Sequence, residues 1–158
     1  MTPTLAIIKG GLGFSQLGAL TAALASQLPS LTIWTPGGQN QYQVSEWPQI
    51  AAHPNHRIVL LEHSLACDYA IDCAAALAAK GTPAAYLGII EKVWFDKVAP
   101  VCDAWDWYQC DAIFDFPRGK IAGWEPQIIS ETGHNSICQD PGVIEQIVAR
   151  VKAVLEAA

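Results

Sequence analysis

Short apolar runs alternate with segments of helical spacing along most of this chain, and that alternation constrains its fold more than any other feature. Residues 4–8 and 57–61 are apolar runs with β-branched side chains and the length of buried strands. Residues 15–28 lie between them and carry leucines three or four positions apart, which predicts a helix. Strands that alternate with helices form parallel sheets covered on both faces. The sequence therefore predicts an α/β fold, with an open, mainly parallel sheet and helices on both faces.

The remaining segments extend the same pattern. Further strands are predicted at 31–35, 84–90, 105–109 and 127–130, and further helices at 46–52, 65–80 and 143–157. Asp140 and Pro141 precede the last helix, as an N-cap residue followed by a proline at the first helical position. A chain of 158 residues without a repeat or a linker is predicted to form one domain over 1–158.

Composition argues against several classes of function. Hydrophobic residues make up 51% of the chain and charged residues 15%, which provides for a packed core and argues against disorder. The formal net charge is -6 and the nine lysines and arginines are scattered, so neither nucleic acid nor an anionic membrane surface is expected as a partner. The apolar runs stay shorter than the ~20 residues of a membrane span.

The N-terminus and the cysteines indicate the compartment. Residues 1–10 lack the charged leader, the apolar region and the small-residue cleavage site that are typical of a signal peptide. The five cysteines form an odd set without regular pairs, which favours a reducing compartment over a disulfide framework. They also lack the spacing of a zinc site. We therefore expect a cytoplasmic protein that holds no metal.

The segment around Ser64 carries the strongest chemical signal. A predicted strand leads into Ser64, which stands at a turn just before the predicted helix 65–80. Such a turn, a nucleophile elbow, lifts the serine hydroxyl out of the sheet and sets a helix N-terminus beneath it. The N–H of Leu65 would then face a developing oxyanion. For Ser64 considered alone, an ordinary helix N-cap serine is the simpler interpretation.

The residues that flank Ser64 fit the elbow only in part. The usual pattern, G-x-S-x-G, keeps small residues two positions either side of the serine. Ala66 is small, whereas Glu62 is bulky and is expected to crowd the turn. His63 is expected to pack and to form hydrogen bonds in the elbow rather than to act as a base, because adjacent side chains point apart.

His134 lies in a loop between the predicted strand 127–130 and the last helix. A neutral imidazole is the side chain best suited to act as a general base near neutral pH. Taken alone, His134 could equally be a surface histidine, so its value depends on its pairing with Ser64.

A glycine-rich turn, Gly10 and Gly11 followed by Leu12 and Gly13, comes directly after the first strand. Glycines let backbone N–H groups approach a ligand oxygen closely, so Leu12 or Gly13 is a candidate second donor to an oxyanion. A phosphate-binding loop is the rival interpretation. The turn lacks the third glycine of G-x-G-x-x-G and the Lys-Ser/Thr of a P-loop.

Together these segments resemble the α/β-hydrolase superfamily, and most closely its compact, lipase- or esterase-like members. The resemblance implies a nucleophile at Ser64, a base at His134 and an oxyanion hole made by Leu65 with Leu12 or Gly13. It leaves two positions for the acid that orients the histidine. Glu91 follows the strand after the elbow helix and is preferred, and Asp111 follows the next strand.

Three functions compete at this point. The first is hydrolysis of a carboxylic ester or thioester, small or polymeric, through an acyl-enzyme on Ser64 and without a cofactor. The second is a catalytically silent α/β-hydrolase-like module that binds a small ligand or a protein, which Glu62 and the undecided acid favour. The third, a nucleotide-binding protein, is disfavoured by the incomplete glycine loop. The sequence leaves the oligomeric state open.

Overall fold

The computed structural model describes residues 2–11, 17–38, 40–111 and 117–157. Each strand and helix predicted above has a counterpart with slightly different ends. The described strands are β1 (Thr4–Lys9), β2 (Thr32–Trp34), β3 (Arg57–His63), β4 (Tyr86–Ile90), β5 (Lys97–Val98), β6 (Trp105–Cys110), β7 (Ile121–Ala122) and β8 (Gln127–Ile129). The described helices are α1 (Gly18–Gln27), α2 (Trp47–Ala52), α3 (Ala66–Ala79) and α4 (Pro141–Glu156), with 3₁₀ turns at Gln41–Gln43 and Ser136–Gln139.

Six of these strands form one sheet in the order β2-β1-β3-β4-β6-β8. Every pair of neighbours in it is parallel. The strands β5 and β7 form a separate parallel pair, and the sequence analysis did not predict them because two residues are too few to show a pattern. The predicted α/β class with a parallel sheet is confirmed.

Helices cover both faces of the six-stranded sheet. Side chains alternate along each strand, so Ala6 and Ile8 of β1 face α1 and α4, whereas Leu5 and Ile7 face α3. At the start of α4, Asp140 accepts a hydrogen bond from the N–H of Val143 at 2.9 Å, so the predicted cap is confirmed. Among the described helices, none has both the length and the apolar character needed to span a membrane.

The carboxyl ends of the parallel strands bring distant loops together. The loops after β1, β3, β4 and β6 begin at Gly10, Ser64, Glu91 and Asp111. In open α/β sheets, ligands bind at this edge. The fold thus gathers the residues singled out from the sequence along one side of the sheet.

Candidate active site

Ser64 stands at the sharp turn between β3 and α3. Its φ is 61°, a left-handed conformation that residues other than glycine rarely adopt. The turn stays attached to the sheet because the N–H of Ser64 donates to the carbonyl oxygen of Ile90, at 3.0 Å. The strand–turn–helix context is that of a nucleophile elbow.

His134 meets the Ser64 hydroxyl. Its Nε2 lies 2.9 Å from Ser64 Oγ, although the two residues are 70 positions apart in the chain. When Nε2 accepts the hydroxyl proton, the ring hydrogen of a neutral imidazole must sit on Nδ1. This arrangement is the one a base needs to activate a serine.

His63 anchors the backbone of the histidine loop. Its Nε2 lies 2.8 Å from the carbonyl oxygen of His134, to which it donates a hydrogen bond. The ring is buried, and burial together with the neighbouring His134 lowers the pKa of His63 to about 4. His63 is therefore neutral near pH 7 and fulfils the packing and hydrogen-bonding role expected from the sequence.

Glu91 lies behind His134, in the turn after β4. Its Oε1 is 3.8 Å from His134 Nδ1, longer than a hydrogen bond but within ion-pair distance. Burial alone would raise the pKa of this carboxyl group. His134 and the N–H of Cys110, which donates to Oε2 at 2.6 Å, outweigh burial and hold the pKa below its ordinary value. Glu91 is therefore ionised at neutral pH.

Asp111, the alternative acid, lies elsewhere. It is exposed, and its carboxylate accepts a hydrogen bond from the N–H of Glu131 at 3.4 Å. The structure thus brings Glu91, rather than Asp111, into ion-pair distance of His134.

Gly11 packs against the elbow. A Cβ atom at Gly11 would lie 3.0 Å from the nitrogen of Leu65 and 3.1 Å from Ser64 Oγ. Gly11 and the Leu65 nitrogen therefore lie beside the same small space next to the hydroxyl. Leu12 and Gly13, the other predicted donors to an oxyanion, lie outside the described residues.

Glu62 is accommodated by a buried charge cluster that the sequence analysis missed. It pairs in register with Lys9 of the neighbouring strand, and Lys9 Nζ lies 3.5 Å from Glu62 Oε2. Lys9 also donates to the Glu46 carboxylate and, at 3.1 Å, to the carbonyl oxygen of Val44. Burial raises the pKa of Glu62 and the neighbouring Lys9 lowers it. The effect of burial is larger, so the pKa lies well above its ordinary value. The side chain of Glu62 is directed towards Lys9 rather than into the turn.

A second buried ion pair fixes the turn that carries Glu91. Lys92 is fully buried, and its Nζ donates to Asp68 Oδ1 of α3 at 2.6 Å. It also donates to the carbonyl oxygen of Phe95. This pair could not be predicted from the sequence, because the two residues are 24 positions apart and neither belongs to a motif.

Two cavities lie near this constellation. One, of about 200 Å³, adjoins Leu65 and is lined also by Tyr69, Phe95 and the charged side chains of Asp68, Asp72 and Lys97. The other, of about 590 Å³, lies over the far end of the sheet, where Trp107 and Gln109 form part of its wall. The first is lined by Leu65, the residue after the candidate nucleophile, and the second is lined by Gln109, which contacts Glu91.

Comparison with known proteins identifies the fold. No protein-family model matches this sequence, and no curated protein matches it. One similar solved structure is the thioesterase domain SrfTE, which was studied for the cyclization of the lipopeptide antibiotic surfactin. It is 12% identical to this chain, with a TM-score of 0.57, and the match covers 98% of this chain and 92% of that one. An acetyl xylan esterase is 13% identical, with a TM-score of 0.52, and the match covers 98% of this chain and 100% of that one. This chain therefore has the α/β-hydrolase fold.

Proposed function

We propose that this protein is a serine hydrolase that cleaves a carboxylic ester or thioester through an acyl-enzyme on Ser64. The observation that carries the proposal is the 2.9 Å approach of His134 Nε2 to Ser64 Oγ. The ionised Glu91 behind the imidazole and the left-handed elbow at Ser64 support it. The two structural neighbours are named as a thioesterase domain and an esterase, which agrees with this reaction class.

In the proposed mechanism, His134 takes the Ser64 proton as the hydroxyl oxygen attacks the carbonyl carbon. Glu91 keeps the imidazole in the correct tautomer and stabilises the imidazolium that forms. The N–H of Leu65 donates to the oxyanion, and Leu12 or Gly13 is the proposed second donor. His134 then protonates the leaving group, and a water activated by the same imidazole cleaves the acyl-enzyme.

The cavity beside Leu65 suggests the size of the group that is bound there. Its volume of about 200 Å³ is smaller than the roughly 300–1,000 Å³ typical of pockets for drug-sized ligands. We therefore propose that the part of the substrate bound in this cavity, either its acyl group or its alcohol group, is short. Short p-nitrophenyl esters are the appropriate first substrates.

The test is reaction with a fluorophosphonate probe, measured by intact mass. Wild type should gain one adduct, and Ser64→Ala and His134→Ala should gain none. Glu91→Gln should react on the order of 10³–10⁴-fold more slowly, because the acid no longer fixes the imidazole. Ser26→Ala, which removes the exposed hydroxyl of a serine on α1, is the matched control and should react as wild type does.

The absence of an adduct on well-folded wild type would exclude the proposed hydrolase. The alternative, a catalytically silent module that binds a ligand or a protein, would then stand. An adduct that persists in Ser64→Ala would show that another residue is the nucleophile.

A further inference from the structure

The carboxylate of Glu91 has a second neighbour on β6, besides the backbone of Cys110. Gln109 is 2% exposed, and its Nε2 lies 2.9 Å from Glu91 Oε1. Its other amide atom, Oε1, accepts a hydrogen bond from the indole Nε1 of Trp107 at 3.1 Å. From these contacts we infer that Gln109 is a positioning residue for Glu91, and the inference rests on the proposed function.

Trp107 determines which way the Gln109 amide points. An indole nitrogen can only donate a hydrogen bond, and an ionised carboxylate can only accept one. The amide oxygen of Gln109 must therefore face Trp107, and its NH₂ group must face Glu91. A flipped amide would set two donors against each other at the indole and two acceptors against each other at the carboxylate.

The contact falls on the oxygen that matters for the histidine. Glu91 Oε1 receives the Gln109 donor and also faces His134 Nδ1, at 3.8 Å. The other oxygen, Oε2, is held by the N–H of Cys110. The end of β6 thus fixes both oxygens, so the carboxylate presents Oε1 to the imidazole before any substrate binds. A donor to a carboxylate also favours its charged form, which is the form the proposed mechanism requires.

The first experiment follows the ionisation of Glu91 itself. Glutamate carboxyl groups labelled with ¹³C are titrated by NMR, and Glu91→Gln assigns the signal. Gln109→Leu removes the donor, so the Glu91 carboxyl should keep its proton to higher pH than in wild type. Gln109→Glu replaces the donor by a second carboxyl, and the pair should keep a proton to still higher pH because like charges oppose full ionisation.

Gln127→Leu is the matched control. Gln127 also donates its amide to a carboxylate on the same sheet, because its Nε2 lies 3.2 Å from Asp106 Oδ1. The Gln127→Leu substitution removes the same kind of hydrogen bond at a place that does not contact Glu91. The titration of Glu91 should therefore remain that of wild type. A purely structural role for Gln109 would change thermal stability without moving this titration.

The second experiment measures the rate at which the fluorophosphonate probe labels Ser64. Gln109→Leu should be labelled about ten-fold more slowly, the size expected for one hydrogen bond to a charged group. An unchanged Glu91 titration in both Gln109 variants would overturn the inference. If neither variant folds, Trp107→Phe provides the test, because it keeps Gln109 but frees its amide to flip. The Glu91 carboxyl should then keep its proton to a higher pH than in wild type, by less than in Gln109→Leu. An unchanged Glu91 titration in Trp107→Phe would overturn the inference.

The two experiments separate the two proposals. If wild type is not labelled while the titration responds as expected, the hydrolase proposal fails and Gln109 still fixes Glu91. If wild type is labelled and the titration does not respond, the hydrolase stands and the role of Gln109 is refuted.

Discussion

Two residues of the proposed triad are held in left-handed backbone conformations. Ser64 has a φ of 61° and Glu91 a φ of 51°. Each such residue costs on the order of 1–3 kcal/mol unless its surroundings fix it. Both are fixed by the sheet, because their N–H groups donate to the carbonyl oxygens of Ile90 and Tyr108, respectively. In proteins generally, such conformations cluster at functional sites, which agrees with the catalytic roles proposed for Ser64 and Glu91.

Gly11 approaches the elbow closely enough that any side chain there would affect Ser64. In Gly11→Ala, the added Cβ would lie about as near to Ser64 Oγ as to the nitrogen of Leu65, roughly 3 Å from each. It would occupy the space proposed for the oxyanion. We expect fluorophosphonate labelling to fall by about 10²-fold, the typical loss on removing one oxyanion donor.

Gly18→Ala provides the control for this substitution. A Cβ at Gly18, the first residue of α1, would have no atom within 4 Å. Labelling of that variant should match wild type, and its stability should be unchanged or slightly higher. Equal labelling of the Gly11 and Gly18 variants would show that the space beside Leu65 is not used in the reaction.

At the scale of elements, the structure joins the turn after β4 to the start of α3 through Lys92 and Asp68. The pair is buried, and among the described residues Asp68 Oδ2 has no hydrogen-bond partner. Lys92→Met leaves the carboxylate of Asp68 without its cation inside the protein. We expect a loss of about 3–5 kcal/mol in the free energy of unfolding, measured by urea denaturation.

A more exposed ion pair, between Lys97 of β5 and Asp72 of α3, gives the comparison. Lys97 and Asp72 form a salt bridge at 2.7 Å near the surface, so Lys97→Met should cost less than about 1 kcal/mol. Adding Asp68→Asn to Lys92→Met should recover part of the loss, because the unpaired charge is then removed. Similar losses for Lys92→Met and Lys97→Met would argue against a special role of the buried pair.

At the scale of the whole molecule, His63 links stability to pH. Burial lowers its pKa to about 4 from an ordinary 6.5, so the unfolded chain binds the proton more readily than the folded protein. The contribution of the neutral His63 to the free energy of unfolding is fully present above pH 6.5, and it is lost as the pH falls towards about 4. The full contribution is about 3 kcal/mol.

His63→Gln should remove that dependence while keeping a donor for the carbonyl of His134. Urea denaturation of wild type and variant from pH 4 to pH 7 measures the difference in unfolding free energy between them. We expect this difference to change with pH mainly between about 4 and 6.5, with wild type losing more stability on acidification. A difference that stays constant over this range would mean that His63 is not buried in its neutral form.

The outcome for individual elements shows what a sequence pattern can predict. The hydrophobic runs predicted β1, β3 and β4, because a strand buried on both faces needs continuous apolar side chains. The alternation of aromatic and polar residues predicted β6. The two-residue strands β5 and β7 have no such pattern and were missed. The start of β4 was predicted two residues too early, because Ala84 forms only an isolated bridge with Cys102.

Local patterns along the chain predicted the class of fold and pointed to Ser64 and His134. These predictions depend only on the order of neighbouring residues, on which residue ends a strand and which precedes a helix. Three features became visible only in the folded chain: the carboxylate that faces His134, the fit of Glu62 beside the elbow, and the contacts of Lys92 with Asp68 and of Gln109 with Glu91. These outcomes depend on residues far apart in the chain that meet where strands lie side by side. A distance such as the 3.8 Å between His134 and Glu91 follows from sheet register and packing, which no local pattern specifies.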